Sequence, residues 1–319
     1  MKAAVIGYGV IGKHHARILE EMGILAAVCD VNRDALEGLS GVALYEDHIE
    51  MLDKVRPDSV HICTPHYLHA DMIIEALSRN INVLCEKPLC IKKEDIAKIL
   101  EAEKNSEAIL GVCHQNRYNP ANLYVKEYIK NKEIQGGVGQ VSWSRDEKYY
   151  SSAQWRGKWD TEGGGVLINQ ALHTLDLMQW FCGMPESLSA SISTLVLGDS
   201  IEVEDTAAIC AKGGVSFNFY ASNGSAVDMP VEITLRVSGK TVKLMPNYAV
   251  IDGELISFAN KQKANGTKTC YGSGHYALID DFYSCVREGK RFSIDGEEGA
   301  KVIRLILAAY ESNEKIITV

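Results

Sequence analysis

Hydrophobic and polar positions follow two different patterns in the two parts of the chain. Up to about residue 115, apolar runs of four to six residues alternate with stretches of helical spacing. Such short runs, separated by helices, are typical of a parallel sheet that is covered on both faces. Five strands are predicted, in AAVIG, LAAVCD, DSVHICT, NVLCEKP and ILGVCHQ. Five helices are predicted among them, at 10–22 and in DALEGLS, HIEMLDK, HADMIIEALSRN and KEDIAKILEAEKNS.

The pattern changes near QNRYNPA, at residues 115–121. A helix is predicted at about 120–132, then a strand in GQVSWSRDEKYY and a glycine-led helix in GGGVLINQALHTLDLMQWF. From 187 to about 259 the runs become short, alternating and rich in Val, Ile, Thr and aromatic residues, which indicates a mostly antiparallel sheet. Two closing helices are predicted near 275–289 and 296–311.

These patterns together predict an α/β protein of two domains. Because parallel strands are joined by right-handed crossovers, the first domain is expected to be a doubly wound Rossmann sheet. We place it at 1–118. The second, at 119–319, is expected to be an α+β domain with an open, mostly antiparallel sheet.

Charge and cysteine content exclude several classes of partner and site. The 319 residues carry a formal net charge of −9 with a pI of about 5.5, which disfavours nucleic acids and acidic membranes as partners. No apolar run reaches membrane-spanning length, and no signal peptide is recognised. The nine cysteines form no C-x-x-C pair, so we expect buried free thiols and a cytoplasmic location. No metal site is expected, because no set of ligands is complete.

The first predicted strand runs into the glycine motif GYGVIG, at residues 7–12. Gly7 permits a tight turn, Gly9 lets a pyrophosphate approach the backbone, and Gly12 lets the following helix pack closely on the strand. Val10 and Ile11 lie in the first turn of that helix, where backbone N–H groups and the helix dipole attract phosphates. The context of strand, glycines and helix predicts a dinucleotide site at residues 7–12.

An acidic residue at the end of the second predicted strand helps to determine whether NAD or NADP binds. Asp30 lies eighteen residues beyond Gly12 and would accept hydrogen bonds from the adenosine ribose hydroxyls. It would repel a 2′-phosphate, so NAD is favoured over NADP. Arg33, three residues on, can pair with a 2′-phosphate and keeps NADP possible.

Two further groups of residues are candidates for accepting or donating a proton in a reaction. Lys87, in EKP at 86–88, follows the fourth predicted strand, at the sheet edge where doubly wound proteins bind ligands. Asn169, His173 and Asp176 have spacings of four and three, which would place them on one face of the predicted helix. Burying polar groups of an otherwise apolar helix costs free energy unless these groups form hydrogen bonds or serve a functional site. Histidine can accept a hydroxyl proton near neutral pH.

The chain resembles the Gfo/Idh/MocA family, which includes glucose–fructose oxidoreductase and inositol dehydrogenase. The resemblance rests on GYGVIG, Asp30, CTPHYLH, EKP, QNRYNP and GGGVLINQALHTLDL, all within the first 177 residues. It implies NAD(P)-dependent hydride transfer between nicotinamide and a hydroxyl-bearing carbon of a sugar, cyclitol or sugar derivative. It also implies that the second domain binds substrate and forms homodimers or homotetramers through its sheet.

The resemblance also implies roles for individual residues. Lys87 would orient the substrate hydroxyl, His173 would act as acid and base, and Asp176 would bind a hydroxyl or polarise His173. Glu86 would hold the nicotinamide ribose. The nicotinamide side of the crevice would be lined by Thr64, Pro65 and His69. Asn169 stands where many polyol dehydrogenases of the family have an acid, and it can hydrogen-bond a sugar hydroxyl but not take its proton.

Cationic and aromatic residues near the predicted domain junction suit a sugar ring or an attached anion. They are Arg117, Tyr118, Trp155 and Arg156. An equally good interpretation is that the aromatic residues anchor a loop.

Two other functions stay open from the sequence. One is a nucleotide-sugar dehydrogenase or ketoreductase that uses NADP(H). The other is a non-catalytic regulator that binds a dinucleotide, which the presence of Lys87 and His173 argues against.

Overall fold

The computed structural model describes residues 1–258, 274–312 and 314–319. Contacts divide the chain into two compact units, each built from two segments. The first unit comprises Met1–Cys113 with Ile279–Ala300, and the second comprises His114–Leu278 with Lys301–Val319. The return of 279–300 to the first unit has no counterpart in the two contiguous domains expected from the sequence.

The first unit contains a six-stranded parallel sheet with the order β3-β2-β1-β4-β5-β6. Its strands are β1 (Ala3–Ile6), β2 (Leu25–Cys29), β3 (Ala43–Tyr45), β4 (Ser59–Ile62), β5 (Asn82–Glu86) and β6 (Leu110–Cys113). The helices that follow them are α1 (Val10–Glu21), α2 (His48–Val55), α3 (His69–Ser78) and α4 (Lys93–Lys104). The predicted α/β class and the doubly wound sheet are confirmed.

Two details of this unit differ from the prediction. The segment DALEGLS forms one short 3-10 turn, Arg33–Leu36, instead of a helix. Strand β3 was not predicted, because it is three residues long, lies at the sheet edge and leaves Ala43 and Leu44 exposed. An exposed edge strand lacks the continuous apolar run that marks a buried one.

The second unit contains a nine-stranded, mostly antiparallel sheet with the order β14-β13-β12-β11-β7-β10-β9-β8-β15. Only β7 and β10 pair in parallel among these described strands. The strands are β7 (Ile134–Ser142), β8 (Ser187–Ser193), β9 (Thr206–Lys212), β10 (Phe217–Ser222), β11 (Glu232–Val237), β12 (Lys240–Met245), β13 (Tyr248–Ile251), β14 (Glu254–Ser257) and β15 (Ile317–Thr318). The predicted antiparallel sheet is confirmed.

In the described part of this unit, three α-helices lie wholly within it, and two more have residues in both units. The three are α5 (Pro120–Ile129), α6 (Glu147–Ser151) and α7 (Leu172–Cys182). The two are α8 (Gly274–Glu288) and α9 (Gly296–Ser312), close to the predicted bounds. Among the described residues, no helix combines the length and the apolar character needed to cross a bilayer.

Helix α7 is shorter than predicted, and this corrects one inference about the site. The segment 163–171 is irregular, so Asn169 precedes the helix and does not share a helical face with His173 and Asp176. Glu204 holds this segment. Its carboxylate accepts the backbone N–H groups of Gly165 and Leu167, at 2.8 and 3.0 Å.

Candidate active site

The glycine motif forms a tight turn from β1 into α1. Gly7 has φ of +88°, and a Cβ there would lie 2.6 Å from the carbonyl oxygen of Cys63. A Cβ at Gly12 would lie 1.8 Å from the carbonyl oxygen of Gly7. Neither position therefore tolerates a side chain, whereas a Cβ at Gly9 would meet no described atom within 4 Å.

The beginning of α1 fits a dinucleotide pyrophosphate. Gly9 is the N-cap, and no side chain of the described residues caps the helix. The first turn contains no acid. Backbone N–H groups at Val10, Ile11 and Gly12 thus lie where helices present donors to anions, next to the open space at Gly9.

Asp30 directly follows β2 and is tied to the glycine turn. Its carboxylate accepts the backbone N–H of Tyr8 at 2.6 Å and that of Asn32 at 2.8 Å. These bonds fix the orientation of the carboxylate and leave acceptor capacity for ribose hydroxyls. Arg33 is largely exposed and forms an ion pair with Glu46, N to O 3.3 Å, which competes with any 2′-phosphate for its guanidinium.

The loops after β4 and β5 are joined by His69. The two nitrogens of this fully buried ring face the carbonyl oxygens of Pro88, at 2.7 Å, and Thr64, at 3.0 Å. Burial lowers the pKa of His69, so near neutral pH the ring carries one proton and donates to one carbonyl at a time. The side chain expected to line the crevice instead braces the two loops, while Thr64 and Pro65 remain half-buried.

Glu86 ends β5 and is buried, and the half-buried Lys87 follows it. The backbone N–H of Lys87 donates to the Glu86 carboxylate at 3.2 Å. Lys87 therefore lies at the carboxyl edge of the parallel sheet, the edge that also carries the glycine turn after β1.

In the second unit, Asp176 and Arg117 form a buried two-point ion pair. Arg117 Nε donates to Oδ2 at 2.8 Å and its terminal nitrogen to Oδ1 at 2.6 Å. Gln179 adds a bond at 3.1 Å, and His114 Nε2 lies 4.0 Å from Oδ1. Burial alone would raise the pKa of Asp176, but Arg117, His114 and the hydrogen bonds lower it to about 2.

Breaking this ion pair is expected to lower the free energy of unfolding by a large amount. Asp176→Asn would remove the negative charge from this buried, hydrogen-bonded pair, at a cost of about 3–5 kcal/mol. Because the folded pKa is depressed, the stabilisation is complete above the ordinary range of aspartate and disappears as pH falls toward about 2. Urea unfolding of both proteins at several pH values measures this.

A surface pair serves as the control for Asp176→Asn. Glu127 and Lys130 form an exposed ion pair at 3.4 Å, so Glu127→Gln should leave the unfolding midpoint nearly unchanged. Equal midpoint shifts for Asp176→Asn and Glu127→Gln would contradict a stabilising role for the buried pair.

Asn169 is held by a carboxylate that sequence reasoning missed. Its Nδ2 donates to the fully buried Glu162, whose other oxygen accepts the backbone N–H of Gly157. A second missed carboxylate, Glu204, accepts the hydroxyl of Tyr310 at 3.0 Å in addition to the loop N–H groups. Burial raises the pKa of Glu204 to about 7, although these bonds oppose the shift.

The loop after α6 is anchored by the residues predicted to meet a substrate. The Arg156 guanidinium lies over the rings of Tyr149, at 4.4 Å, and Trp155, at 5.5 Å. It also donates to the Tyr149 carbonyl at 3.2 Å and to Ser152 Oγ at 2.8 Å. These contacts support the loop-anchor interpretation for Arg156. Tyr118 ends a 3-10 turn, Gln115–Tyr118, and is half-buried.

Two family models match this chain one after the other. The model described as an oxidoreductase family with an NAD-binding Rossmann fold matches residues 1–114, and the GFO/IDH/MocA C-terminal domain matches 123–244. The chain belongs to the Gfo/Idh/MocA family. It is therefore an oxidoreductase with an NAD-binding Rossmann domain, which confirms the predicted enzyme class and cofactor.

Several relatives align with this chain over almost its whole length. A myo-inositol 2-dehydrogenase of Thermotoga maritima is 24% identical and the alignment covers 99% of this chain and 97% of that protein. A D-glucoside 3-dehydrogenase of Escherichia coli is 22% identical, with coverage of 98% and 95%. The WlbA dehydrogenase from Bordetella pertussis, solved with NADH and UDP-GlcNAcA, is 26% identical, with a TM-score of 0.86 and coverage of 100% and 98%.

Proposed function

We propose that this Gfo/Idh/MocA protein transfers a hydride between NAD and a hydroxyl-bearing carbon of a sugar, cyclitol or sugar derivative. The observation that carries the proposal is the place of Lys87, directly after β5 at the carboxyl edge of an NAD-binding sheet. Relatives named for inositol, glucosides and a UDP-linked sugar acid support this substrate class.

Proton handling is assigned to two side chains. NAD, when bound, supplies the hydride acceptor. Lys87 donates a hydrogen bond to the substrate hydroxyl and favours its deprotonation, and its ammonium stabilises the developing oxyanion. His173, the second residue of α7, takes the hydroxyl proton in oxidation and returns it in reduction.

The other candidates are assigned to binding. Asn169, oriented by Glu162, hydrogen-bonds a substrate hydroxyl, and Tyr118 and Trp155 offer aromatic surface to a sugar ring. Arg117 forms its buried ion pair with Asp176, so this pair acts by holding the 3-10 turn Gln115–Tyr118 and α7 in place. Gly7, Gly9, Gly12, Asp30 and Glu86 serve the cofactor.

The experiment is NADH formation by the purified protein against free sugars, cyclitols, sugar acids and nucleotide sugars. Turnover of one class identifies the substrate, and preference for nucleotide sugars would favour the alternative substrate class. Failure of every class, with NAD binding confirmed by calorimetry, would contradict the proposed activity for this panel.

Asp30 predicts a change of cofactor preference. Asp30→Ala removes the acceptor for the ribose hydroxyls and the charge that repels a 2′-phosphate. We expect NAD to bind at least about tenfold more weakly, the worth of one charge-assisted hydrogen bond, and NADP to bind more tightly. Titration of both cofactors measures this, with Asp34→Ala, on the exposed turn nearby, as control. An unchanged preference would contradict the assignment.

We also propose a homo-oligomer formed through the exposed face of the nine-stranded sheet, in the cytoplasm. On this face Val138 of β7 and Tyr220 of β10 are 49% and 44% exposed, on neighbouring paired strands. Cysteines in the described residues are free thiols, as a reducing compartment allows. Light scattering should give a dimer or tetramer for the wild type and a smaller species for Tyr220→Arg. A monomeric wild type would contradict the proposal.

A further inference from the structure

Five polar side chains in the first unit form a continuous hydrogen-bond chain along the sheet. It runs from the last residue of β5 to the first residue of β4, through Glu86, His15, His61, Tyr283 and Ser59. The successive distances are 3.0 Å from Glu86 Oε1 to His15 Nε2, 2.8 Å between the two Nδ1 atoms, 3.0 Å from His61 Nε2 to the Tyr283 hydroxyl and 2.8 Å on to Ser59 Oγ.

This chain is sealed from water. His15, His61, Tyr283 and Ser59 have no measurable exposure, and Glu86 is 6% exposed. The His61 ring stacks on Tyr283, with centroids 5.7 Å apart, and meets His15 edge-on at 5.0 Å. Because unsatisfied polar atoms in such a core would be costly, the pattern of donors and acceptors has to be consistent from one end to the other.

Glu86 determines the direction of that pattern. Its carboxylate is bonded by His15 Nε2, by the backbone N–H of Lys87 at 3.2 Å and by the Cys113 thiol. A carboxyl group that accepts several donors is favoured in its ionised form. His15 must therefore carry its proton on Nε2 and donate it toward Glu86.

The remaining protons follow from that first one. In a His15 ring that carries its proton on Nε2 alone, Nδ1 is an acceptor, and His61 then donates from its own Nδ1. His61 Nε2 then accepts the hydroxyl proton of Tyr283, and the Tyr283 oxygen accepts that of Ser59. Every bond in the chain donates toward Glu86.

The environment keeps the middle of the chain neutral. Burial is the main cause that lowers the pKa of His61 well below its usual value. Burial raises the pKa of Tyr283. The thiols near Glu86 also have raised pKa values because of burial and stay protonated; they are Cys63, Cys85 and Cys113.

We propose that His15, His61 and Tyr283 are positioning residues that fix the Glu86 carboxylate and, through its bond to the Lys87 N–H, the backbone of Lys87. The hydrogen-bond pattern is independent of any substrate. Its consequence for turnover rests on the proposed role of Lys87. The bonds from His15 Nε2 and from the Lys87 N–H keep the Glu86 carboxylate in one orientation at the strand end.

The first test reads the proton positions directly. The protein contains nine histidines, and ¹⁵N-histidine NMR of the wild type, assigned with single His→Gln variants, distinguishes the two neutral tautomers. We expect a proton on Nε2 of His15 and on Nδ1 of His61. The opposite tautomers, or a charged ring, would overturn the proposal.

The second test breaks the chain far from Glu86. Tyr283→Phe keeps the stacked ring and removes the one hydroxyl, and Tyr276→Phe, on the exposed side of α8, is the matched control. Amide hydrogen exchange at Glu86, Lys87 and Leu89 should become faster in Tyr283→Phe and stay unchanged in Tyr276→Phe. Ser59→Ala, at the end of the chain, should show a smaller effect in the same direction and covers the case in which Tyr283→Phe does not fold.

Kinetics separate this role from a purely structural one. With a substrate in hand, kcat should fall about tenfold or more in Tyr283→Phe with little change in KM, since a displaced catalytic group costs rate more than binding. Lower thermal stability with unchanged exchange at Glu86, Lys87 and Leu89 and unchanged kcat would overturn the proposal. If the wild type turns over no substrate, the proposed function fails, while the tautomers and the exchange rates still decide this inference.

Discussion

Replacing Lys87 by alanine is expected to reduce kcat/KM by about 10²–10⁴-fold while NAD affinity changes little. The reason is that the ammonium acts on the substrate hydroxyl, whereas the phosphates of NAD are held by the glycine turn and the start of α1. Initial rates with the substrate found in the panel, together with calorimetric titration of NAD, measure the two effects separately.

Two further variants sharpen the test of Lys87. Lys87→Arg keeps the positive charge but replaces a compact donor with a planar one, so most of the activity should still be lost. Lys92→Ala removes an exposed lysine five residues away and should leave the rate unchanged. Wild-type activity in Lys87→Ala would refute the proposed mechanism, and a large loss of NAD affinity would reassign Lys87 to cofactor binding.

His173→Asn is expected to reduce kcat by about 10²–10⁴-fold, the usual contribution of a positioned general acid–base group. Asparagine keeps a polar side chain on α7 but cannot exchange a proton at neutral pH. The acid limb of the pH–rate profile, where the base becomes protonated, should disappear with the histidine. Steady-state rates over a range of pH, for wild type and variant, measure both changes.

The control for His173 is His48→Asn, which alters a half-buried histidine at the start of α2 in the first unit. We expect its profile to match that of the wild type. If His173→Asn keeps both the rate and the acid limb, another group transfers the proton and the assignment of His173 is wrong.

The sequence predicts the fold well wherever the buried side chains produce a regular pattern of apolar and polar residues. Strand β1 is a continuous apolar run, and the alternation of polar and apolar residues in β11, EITLRV, matches its alternately more exposed and buried side chains. Strand β3 lies outside this rule because its side chains face solvent. The glycine turn was readable because the steric demand at Gly7 and Gly12 is local to a few residues.

Contacts between residues that are distant in the sequence could not be predicted from local sequence patterns. The segment that carries Asn169 is held by Glu204, 35 residues further along than Asn169, which accepts the N–H groups of Gly165 and Leu167. The chain from Glu86 to Ser59 joins residues separated by up to 224 positions. No spacing rule links such residues, because their proximity is a product of the fold rather than of local geometry.

The return of residues 279–300 to the first unit has a practical consequence for dissecting this enzyme. A Cβ on Gly111 of β6 would lie 2.9 Å from Phe292 and 3.0 Å from Phe282, so these two rings fill the space beside that strand. The backbone N–H of Val112 also donates to Ile294 at 2.8 Å. A fragment cut after residue 113 would expose this apolar face to water and lose the partner of its edge strand. The nucleotide-binding module is thus completed only after residues 279–300 have been synthesised, and domain exchange between relatives would have to transfer both segments together.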